Sequence, residues 1–310
     1  MDHQYWLMGE KVMSFSLKNK KVLVTGANGM IGRQLVKLLR EEGSVVFEAD
    51  LPNYDLRERV DCETACDGMD VVFHLAGIKG SPQSAKEQPA RYFVPMLQFN
   101  TNMMEAARNA DVDWYLYTSS VGVYEQSEIL TEDDVWKTFP SENDIFPAWA
   151  KRMGELQAQA YSIEYGWDKV SIVRPANVYG IYDNFGEHSM VIPSLIKKGY
   201  EDSVLNVWGD GSPIRDLIYS EDVARGMIHM VKNKVTEPVN LASGTGITIK
   251  QIAETIADYF GREIKWDTTK PMGDMKRLMD TSKAESYGFK PQTTLEDGIK
   301  KTIEWYLENR

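Results

Sequence analysis

Residues 22–32 read VLVTGANGMIG, and this stretch narrows the choice of folds more than any other in the chain. Val22-Leu23-Val24 is a short apolar run of strand type. Gly26, Gly29 and Gly32 then punctuate a turn, and Ile31, Leu35, Leu38 and Leu39 follow at helical spacing, with Gly43 placed to end the helix. A strand that enters a helix through a glycine turn is one βα unit. Further strand-like runs lie at Val45 to Phe47, Val71 to Leu75, Trp114 to Thr118 and Val170 to Val173. Helical stretches separate most of them, for instance around Met103 to Ala107. Strands alternating with helices must run parallel and be covered on both faces, so the expected fold class is α/β with a doubly wound parallel sheet.

The rhythm loosens after about residue 180. Turn-rich phrases such as WGDGSP surround helices, the clearest being TIKQIAETIADYFG. Thr248 and Gln251 have the spacing of a capping box, Ile249, Ile252, Ala253, Ile256 and Phe260 mark a buried stripe, and Gly261 closes it. No repeat or low-complexity run is present. The expected organisation is an N-terminal extension over 1–19, a dinucleotide-binding (Rossmann) domain over 20–180 plus about 215–242, and a smaller interleaved C-terminal substrate domain over 181–214 and 243–310.

Three glycines at a strand-to-helix turn let backbone N–H groups and the helix N-terminus approach a pyrophosphate. The motif sits in the first βα unit, and the second strand ends on Asp50, an acidic residue suited to ribose hydroxyls. A carboxylate there would repel the 2′-phosphate of NADP, and no arginine stands in the following LPNYD to neutralise it. NAD (NADH), tightly held, is therefore the expected cofactor.

Charge bounds the partners. With 46 acidic and 35 basic side chains the net charge is −11, which argues against nucleic-acid and anionic-membrane partners. No apolar run is long enough for a membrane span, and the first 20 residues lack a signal-peptide core, so a cytoplasmic location is expected. Cys62 and Cys66 stand four apart, one helical face, without His or Cys neighbours to make a metal site.

TGANGMIG, VFHLAG (72–77), YTSSVGVY (117–124), WAKRMGE (149–155), RPANVYG (174–180) and RDLIYSEDVARG (215–226) together resemble the extended short-chain dehydrogenase/reductase family, also called the NAD-dependent epimerase/dehydratase family. They span nearly the whole chain in the family's order. Three more stretches, YDNFGEHSMVIPSLIKK (182–198), VWGDGSPIRD (207–216) and DTTKPMGDMKRLMD (267–280), are similar to GDP-L-fucose synthases. The resemblance implies a cofactor site at Gly26, Asn28, Gly29, Met30, Ile31, Gly32, Asp50, Asp55, Leu56, Leu75, Ala76, Gly77, Thr118, Lys151 and Pro175. It implies a nucleotide-sugar site at Asn177, Val191, Lys198, Trp208, Arg215 and Lys270, and a homodimer through a four-helix interface. Arg215 offers a fork suited to a diphosphate and Trp208 a flat apolar face. In the family, Lys151 binds the nicotinamide ribose, Ser120 hydrogen-bonds the reacting hydroxyl, and Ser119 is a further hydroxyl; these three form the expected catalytic set.

The departures carry as much as the matches. The family's proton acceptor is a tyrosine four residues before the lysine, and that position is Pro147. A proline suits the first turn of a helix, being expected at its first position. The cysteine and histidine with which GDP-L-fucose synthases epimerise fall on Gly122 and Met190. The Asp-Glu pair of the dehydratases falls on Val121-Gly122. Hydride transfer needs no protein nucleophile, so the expected activity is NAD-dependent oxidation of a GDP-sugar, of the GDP-manno-heptose or GDP-mannose type, at C4. A water ordered by Ser120 and Lys151 would accept the proton. The NAD-selecting Asp50, the fucose-synthase-like stretches and the absent tyrosine together resemble the GDP-heptose 4-dehydrogenases of capsule synthesis, in which the tyrosine is also replaced. His188 is a further candidate base, whereas His74, Tyr124 and Tyr179 are expected to pack or position. A 4-epimerase, and a catalytically silent sugar-nucleotide-binding protein, stay open as alternatives.

Overall fold

The computed structural model describes residues 15–78, 82–186, 189–270 and 273–310. His188, and the first fourteen residues of the expected N-terminal extension, lie outside the described residues.

The chain lays down β1 (Lys21–Thr25), α1 (Met30–Glu41), β2 (Val45–Ala49), α2 (Arg59–Cys66) and β3 (Val71–His74). Next come α3 (Pro82–Glu87), α4 (Pro89–Asn109), β4 (Trp114–Thr118), α5 (Ile145–Tyr165) and β5 (Val170–Pro175). These five strands pair in parallel in the order β2-β1-β3-β4-β5. Successive residues of a strand face opposite sides, and both sides here are covered. Val22 and Val24, Val71 and Phe73, and Trp114 and Leu116 join a core with Leu35 and Leu39 of α1. Leu23, Val72, Tyr115 and Tyr117 join a second core with Met103 and Met104 of α4 and Ala150 of α5. Burial on both faces is why these strands read as unbroken apolar runs.

The second half runs β6 (Asn177–Tyr179), α6 (Val191–Glu201), β7 (Val204–Trp208), β8 (Ile214–Tyr219), α7 (Ser220–Lys232) and β9 (Val239–Leu241). It ends with β10 (Gly246–Thr248), α8 (Ile249–Phe260), β11 (Glu263–Asp267), β12 (Lys276–Arg277), α9 (Ser282–Ser286) and α10 (Leu295–Asn309). Strand β9 returns to pair with β5 as the sixth parallel strand of the main sheet, and Met227 and Val231 of α7 join the core that α1 lines. Strands β10, β8 and β12 form a separate sheet that β6 joins through β8, so residues 214–219 lie in that sheet. A parallel pair, β7 and β11, completes the strand set. Ile192, Leu195 and Ile196 of α6, Ile252 and Ile256 of α8, and Ile303 of α10 build a third core. Helix α8 carries the reciprocal Thr248–Gln251 capping box and stops at Gly261 in the left-handed region, φ 64°.

Two close approaches set the site. Gly26, at φ 68°, lets the loop after β3 come so near that an added Cβ would meet Ala76 N at 2.9 Å. On α5, a Cβ at Gly154 would stand 2.3 Å from the Tyr117 ring. The helix is thereby pressed against β4, with Lys151 one turn earlier. Pro147 is the third residue of α5 rather than its first. It still falls in the opening turn, where the backbone N–H has no partner inside the helix and its loss costs little.

Candidate active site

Helix α1 starts at Met30 after Gly29, and no side chain caps it. Its first N–H groups, those of Met30, Ile31 and Gly32, point outward without intrahelical partners, as helix geometry dictates. A Cβ at Gly32 would stand 2.0 Å from the Gly26 carbonyl oxygen, so only glycine fits this turn. Asp50 ends the second strand and accepts from Gly26 N–H at 2.7 Å and Asn28 N–H at 2.8 Å. Its carboxylate thus braces the turn as well as facing the expected ribose. Leu75 and Ala76 are tied to the same corner by N–H bonds of 3.2 Å to the Thr25 hydroxyl, and Gly77 follows them. Asp55 receives the Arg57 guanidinium and Leu56 is buried beside it. An uncapped helix N-terminus, a glycine turn that a Cβ would block, and a carboxylate at the next strand end fit an adenine dinucleotide. Arg33, which sequence reasoning passed over, belongs to this corner. Its Nε donates to Asn28 O at 3.0 Å, and its guanidinium lies 5.1 Å from the Tyr182 ring centre.

Lys151 is buried, and its Nζ donates to Thr118 O at 2.8 Å while lying 5.4 Å over the Tyr117 ring. Burial pushes its ammonium down to about 8, with Glu155 pulling the other way. Thr118 Oγ1 is buried without a hydrogen-bond partner among the described residues, a hydroxyl left over for a ligand. Pro175 is buried at the end of β5. Ser120 caps the short turn Val121–Val123, its Oγ accepting from Gly122 N–H at 3.1 Å, which leaves its O–H to donate elsewhere.

Ser119 departs from expectation. Its hydroxyl turns inward and donates to Glu155 Oε1 at 2.5 Å, and the same carboxylate holds Arg174 at 2.6 Å. The fully buried Glu155–Arg174 pair claims that hydroxyl because each lone pair of a buried carboxylate must be satisfied. Ser119 is a member of a structural ion network, and Ser120 is the hydroxyl left facing the cleft. His74 is likewise structural. It is buried between Thr25 Oγ1 at 2.8 Å and Asn100 Oδ1 at 3.0 Å, and burial, with Lys151 nearby, drives its pKa down to about 3. Tyr124 donates to Asn240 at 2.6 Å and Tyr179 is buried in the third core.

Across the cleft, Trp208 at the end of β7 is 56% exposed. Lys198 Nζ lies 6.0 Å and Lys270 Nζ 5.7 Å from its ring centre. A flat indole flanked by two cations suits a base carrying phosphates. Val191 opens α6, and Asn177 Nδ2 donates to Asp216 O at 3.2 Å. Arg215 of β8 is half-buried, and its only hydrogen bond among the described residues goes to the neighbouring Ile214 carbonyl. Directly opposite it, in register on β12, stands a second arginine, Arg277. Burial first and the Arg277 charge second push the Arg215 guanidinium's pKa down, while Asp274 acts the other way. Like charges side by side on neighbouring strands are unfavourable unless an anion joins them. Arg277 reaches Asp144 Oδ2, at 2.6 Å, and Asp274. Arg277 and Asp274 lie in the stretch 267–280 that the sequence singled out, but nothing there marked either of them individually, since a strand of two residues shows no periodicity, and Asp144 was not marked at all. A cleft lined by Val121, Tyr124, Ser141, Asp274 and Arg277 opens beside them.

Gly122 and Met190 occupy the positions expected of the epimerising cysteine and histidine, Met190 as the N-cap of α6. Among the described residues no group of His, Cys, Asp or Glu is placed to hold a metal ion, and no helix is long and apolar enough to cross a membrane.

Comparison with known proteins bears on this geometry. The model of the NAD dependent epimerase/dehydratase family matches residues 22–242. GDP-L-fucose synthase 1 of Arabidopsis thaliana is 33% identical over 97% of this chain and 98% of its own length. The crystal structure of a GDP-L-fucose synthetase from Naegleria fowleri bound to NADP superposes with a TM-score of 0.87 at 25% identity, covering 96% of each chain. A GDP-mannoheptose C4 reductase from Campylobacter jejuni with NADP bound has a TM-score of 0.83 at 23% identity, covering 93% of this chain and 98% of its own, a likeness of fold.

Proposed function

The chain belongs to the NAD dependent epimerase/dehydratase family, and from that premise we propose that it oxidises a GDP-sugar at C4 to the 4-keto sugar with NAD. It is a nucleotide-sugar-modifying enzyme that uses a nicotinamide dinucleotide. The observation that carries the finer reading is the loss of proton-transfer side chains at 122, 147 and 190 with the rest of the site in order. Pro147 keeps the opening turn of α5, Lys151 stays buried against Thr118 O, and the cradle around Gly26, Gly29 and Gly32 is complete. Inversion at carbons beside the ketone needs acids and bases at those positions, whereas hydride removal needs positioning and one proton acceptor.

When bound, the dinucleotide supplies the hydride acceptor. The protein's residues do the remainder. The N–H groups at the start of α1 take the pyrophosphate, Asp50 takes the adenosine ribose, and Lys151 with Thr118 faces the nicotinamide ribose. Trp208 offers a stacking face for the base, with Lys198 and Lys270 at its edge. Arg215 and Arg277 take the sugar diphosphate, and Ser120 orients the hydroxyl that loses its proton. A GDP-manno-heptose or GDP-mannose type of substrate is the reading that the relatives' GDP-sugar names support.

The purified protein is incubated with NAD and each of these two GDP-sugars, absorbance is followed at the NADH band, and the product is trapped with borodeuteride for mass spectrometry. Growth of NADH with one deuterium at C4 is expected. An epimer without net NADH, or no change with either sugar, overturns the reading.

Cofactor choice is a separate expectation. Asp50 keeps both oxygens on turn amides and so cannot swing away from a 2′-phosphate. Juxtaposed like charges cost several kcal/mol in recognition, so NADH should bind at least about tenfold more tightly than NADPH in a fluorescence titration. Equal affinities, or the reverse order, would remove Asp50 as the selecting group.

A further inference from the structure

Resting on the C4-oxidation reading, we propose that Asp144 is the catalytic proton acceptor in place of the missing phenol, taking the sugar hydroxyl's proton on Oδ1 above Gly122. Asp144 is the N-cap of α5, and an N-cap carboxylate ordinarily accepts the N–H of the second or third helical residue. Here the third is Pro147, which has no N–H, and the Asp144 side chain caps nothing. The proline that displaces the phenol thus also removes one of the two N–H donors that could hold the carboxylate on its own helix, and the other, that of Phe146, is not bonded to it. The side chain turns toward Arg277 and Gly122 instead.

Three groups converge there. A Cβ placed on Gly122 would have Asp144 Cβ at 3.4 Å, Ser120 Oγ at 3.5 Å and the Asp144 carboxyl carbon at 3.6 Å. The proposed pose sets the sugar hydroxyl beside Gly122, near the Ser120 hydroxyl and the Asp144 carboxyl, the groups that approach this glycine most closely. Arg277 holds Asp144 by Oδ2 alone, at 2.6 Å, which fixes the orientation of the carboxylate, and Oδ1 has no hydrogen-bond partner among the described residues. Ser120 already accepts from Gly122 N–H, so its O–H donates to the reacting oxygen. The sugar O–H bond breaks with its proton passing to Asp144 Oδ1. The dinucleotide, when bound, would accept the C4–H pair as hydride so that the C4–O bond becomes a carbonyl, and Asp144 would then release the proton to solvent.

The test compares Asp144→Asn, Asp144→Glu and Asp144→Ala with the wild type. Turnover of the isosteric Asp144→Asn should fall about 10²-fold or more, while calorimetry shows GDP-sugar affinity within about threefold of wild type, the modest change expected when binding contacts are kept. Asp144→Glu, which keeps a carboxylate, should retain more turnover than Asp144→Asn. The groups facing Asp144 are Arg277 from β12, shared with Asp274, and beyond them Arg215 and the Lys86–Asn143 pair. Formate should restore part of the activity of Asp144→Ala by entering the space that the removed carboxylate leaves, a rescue that a purely structural ion pair would not give. An Asp144→Asn enzyme within about threefold of wild type, or one that loses affinity and turnover together, overturns the proposal. A wild type that forms no 4-keto sugar fails the C4-oxidation reading instead, so the two failures are told apart.

Discussion

A Lys151→Met enzyme is expected to oxidise its sugar roughly 10²–10⁴-fold more slowly, the range over which a positioned proton-handling group acts. Lys151 Nζ gives one N–H to Thr118 O, and in the proposed role its others serve the nicotinamide ribose. Methionine fills the stem's volume over Tyr117 and leaves nothing to donate. The variant should fold, and its stability carries a second signature. The lysine's pKa lies near 8 in the folded protein against 10.5 when unperturbed, chiefly through burial. Between those values the unfolded chain binds a proton that the folded chain has lost, so stability rises with pH across that window. In dinucleotide-free protein, melts from pH 8 to pH 10.5 should show that rise in the wild type and lack it in Lys151→Met. Unchanged turnover would remove Lys151 from the catalytic set.

Glu155→Ala should be the most destabilising single change near the site, at about 3–5 kcal/mol, because it strands a buried guanidinium. Arg174 is fully buried. Burial works against its charge, and the Glu155 carboxylate more than offsets this and holds its pKa raised. Its other bonds, to Tyr124 Oη at 3.0 Å and Glu132 O at 2.9 Å, cannot replace a counter-charge. Ser119 loses its acceptor in the same stroke. At roughly 2 °C per kcal/mol for a chain of this size, the melting point should drop by about 6–10 °C. Glu155→Leu combined with Arg174→Met should recover part of that loss, since the removed charge no longer faces an orphan. A Glu155→Ala melting point within about 2 °C of wild type would mean that water or backbone compensates the guanidinium.

What was legible in the sequence was what local pattern encodes. Val22 to Val24, Val71 to Phe73 and Trp114 to Tyr117 are apolar on both faces because both faces are buried, so the strands and their parallel order class could be read directly. The glycine turn announced itself because a Cβ has no room at Gly32. The sugar side was opaque for the opposite reason. It is built from strands of two to six residues whose partners lie 30 to 62 positions away, namely β6, β8, β10 and β12. Nothing local tells that Arg277 stands opposite Arg215, or that Asp144 meets Arg277. Ser119 and Ser120 are adjacent and chemically alike. Only the buried Glu155 decides which of them faces inward.

The path of the chain between the two bodies has a consequence for anyone wishing to exchange them. After β5 the backbone leaves for β6, returns through α7 to add β9 at the margin of the main sheet, and departs again for β10. No single cut therefore releases the C-terminal half. A fragment ending near residue 180 would expose the β5 edge and the face of α1 that α7 covers. Hybrids of this enzyme with a relative of different sugar preference need several coordinated junctions, and those with only one should emerge insoluble.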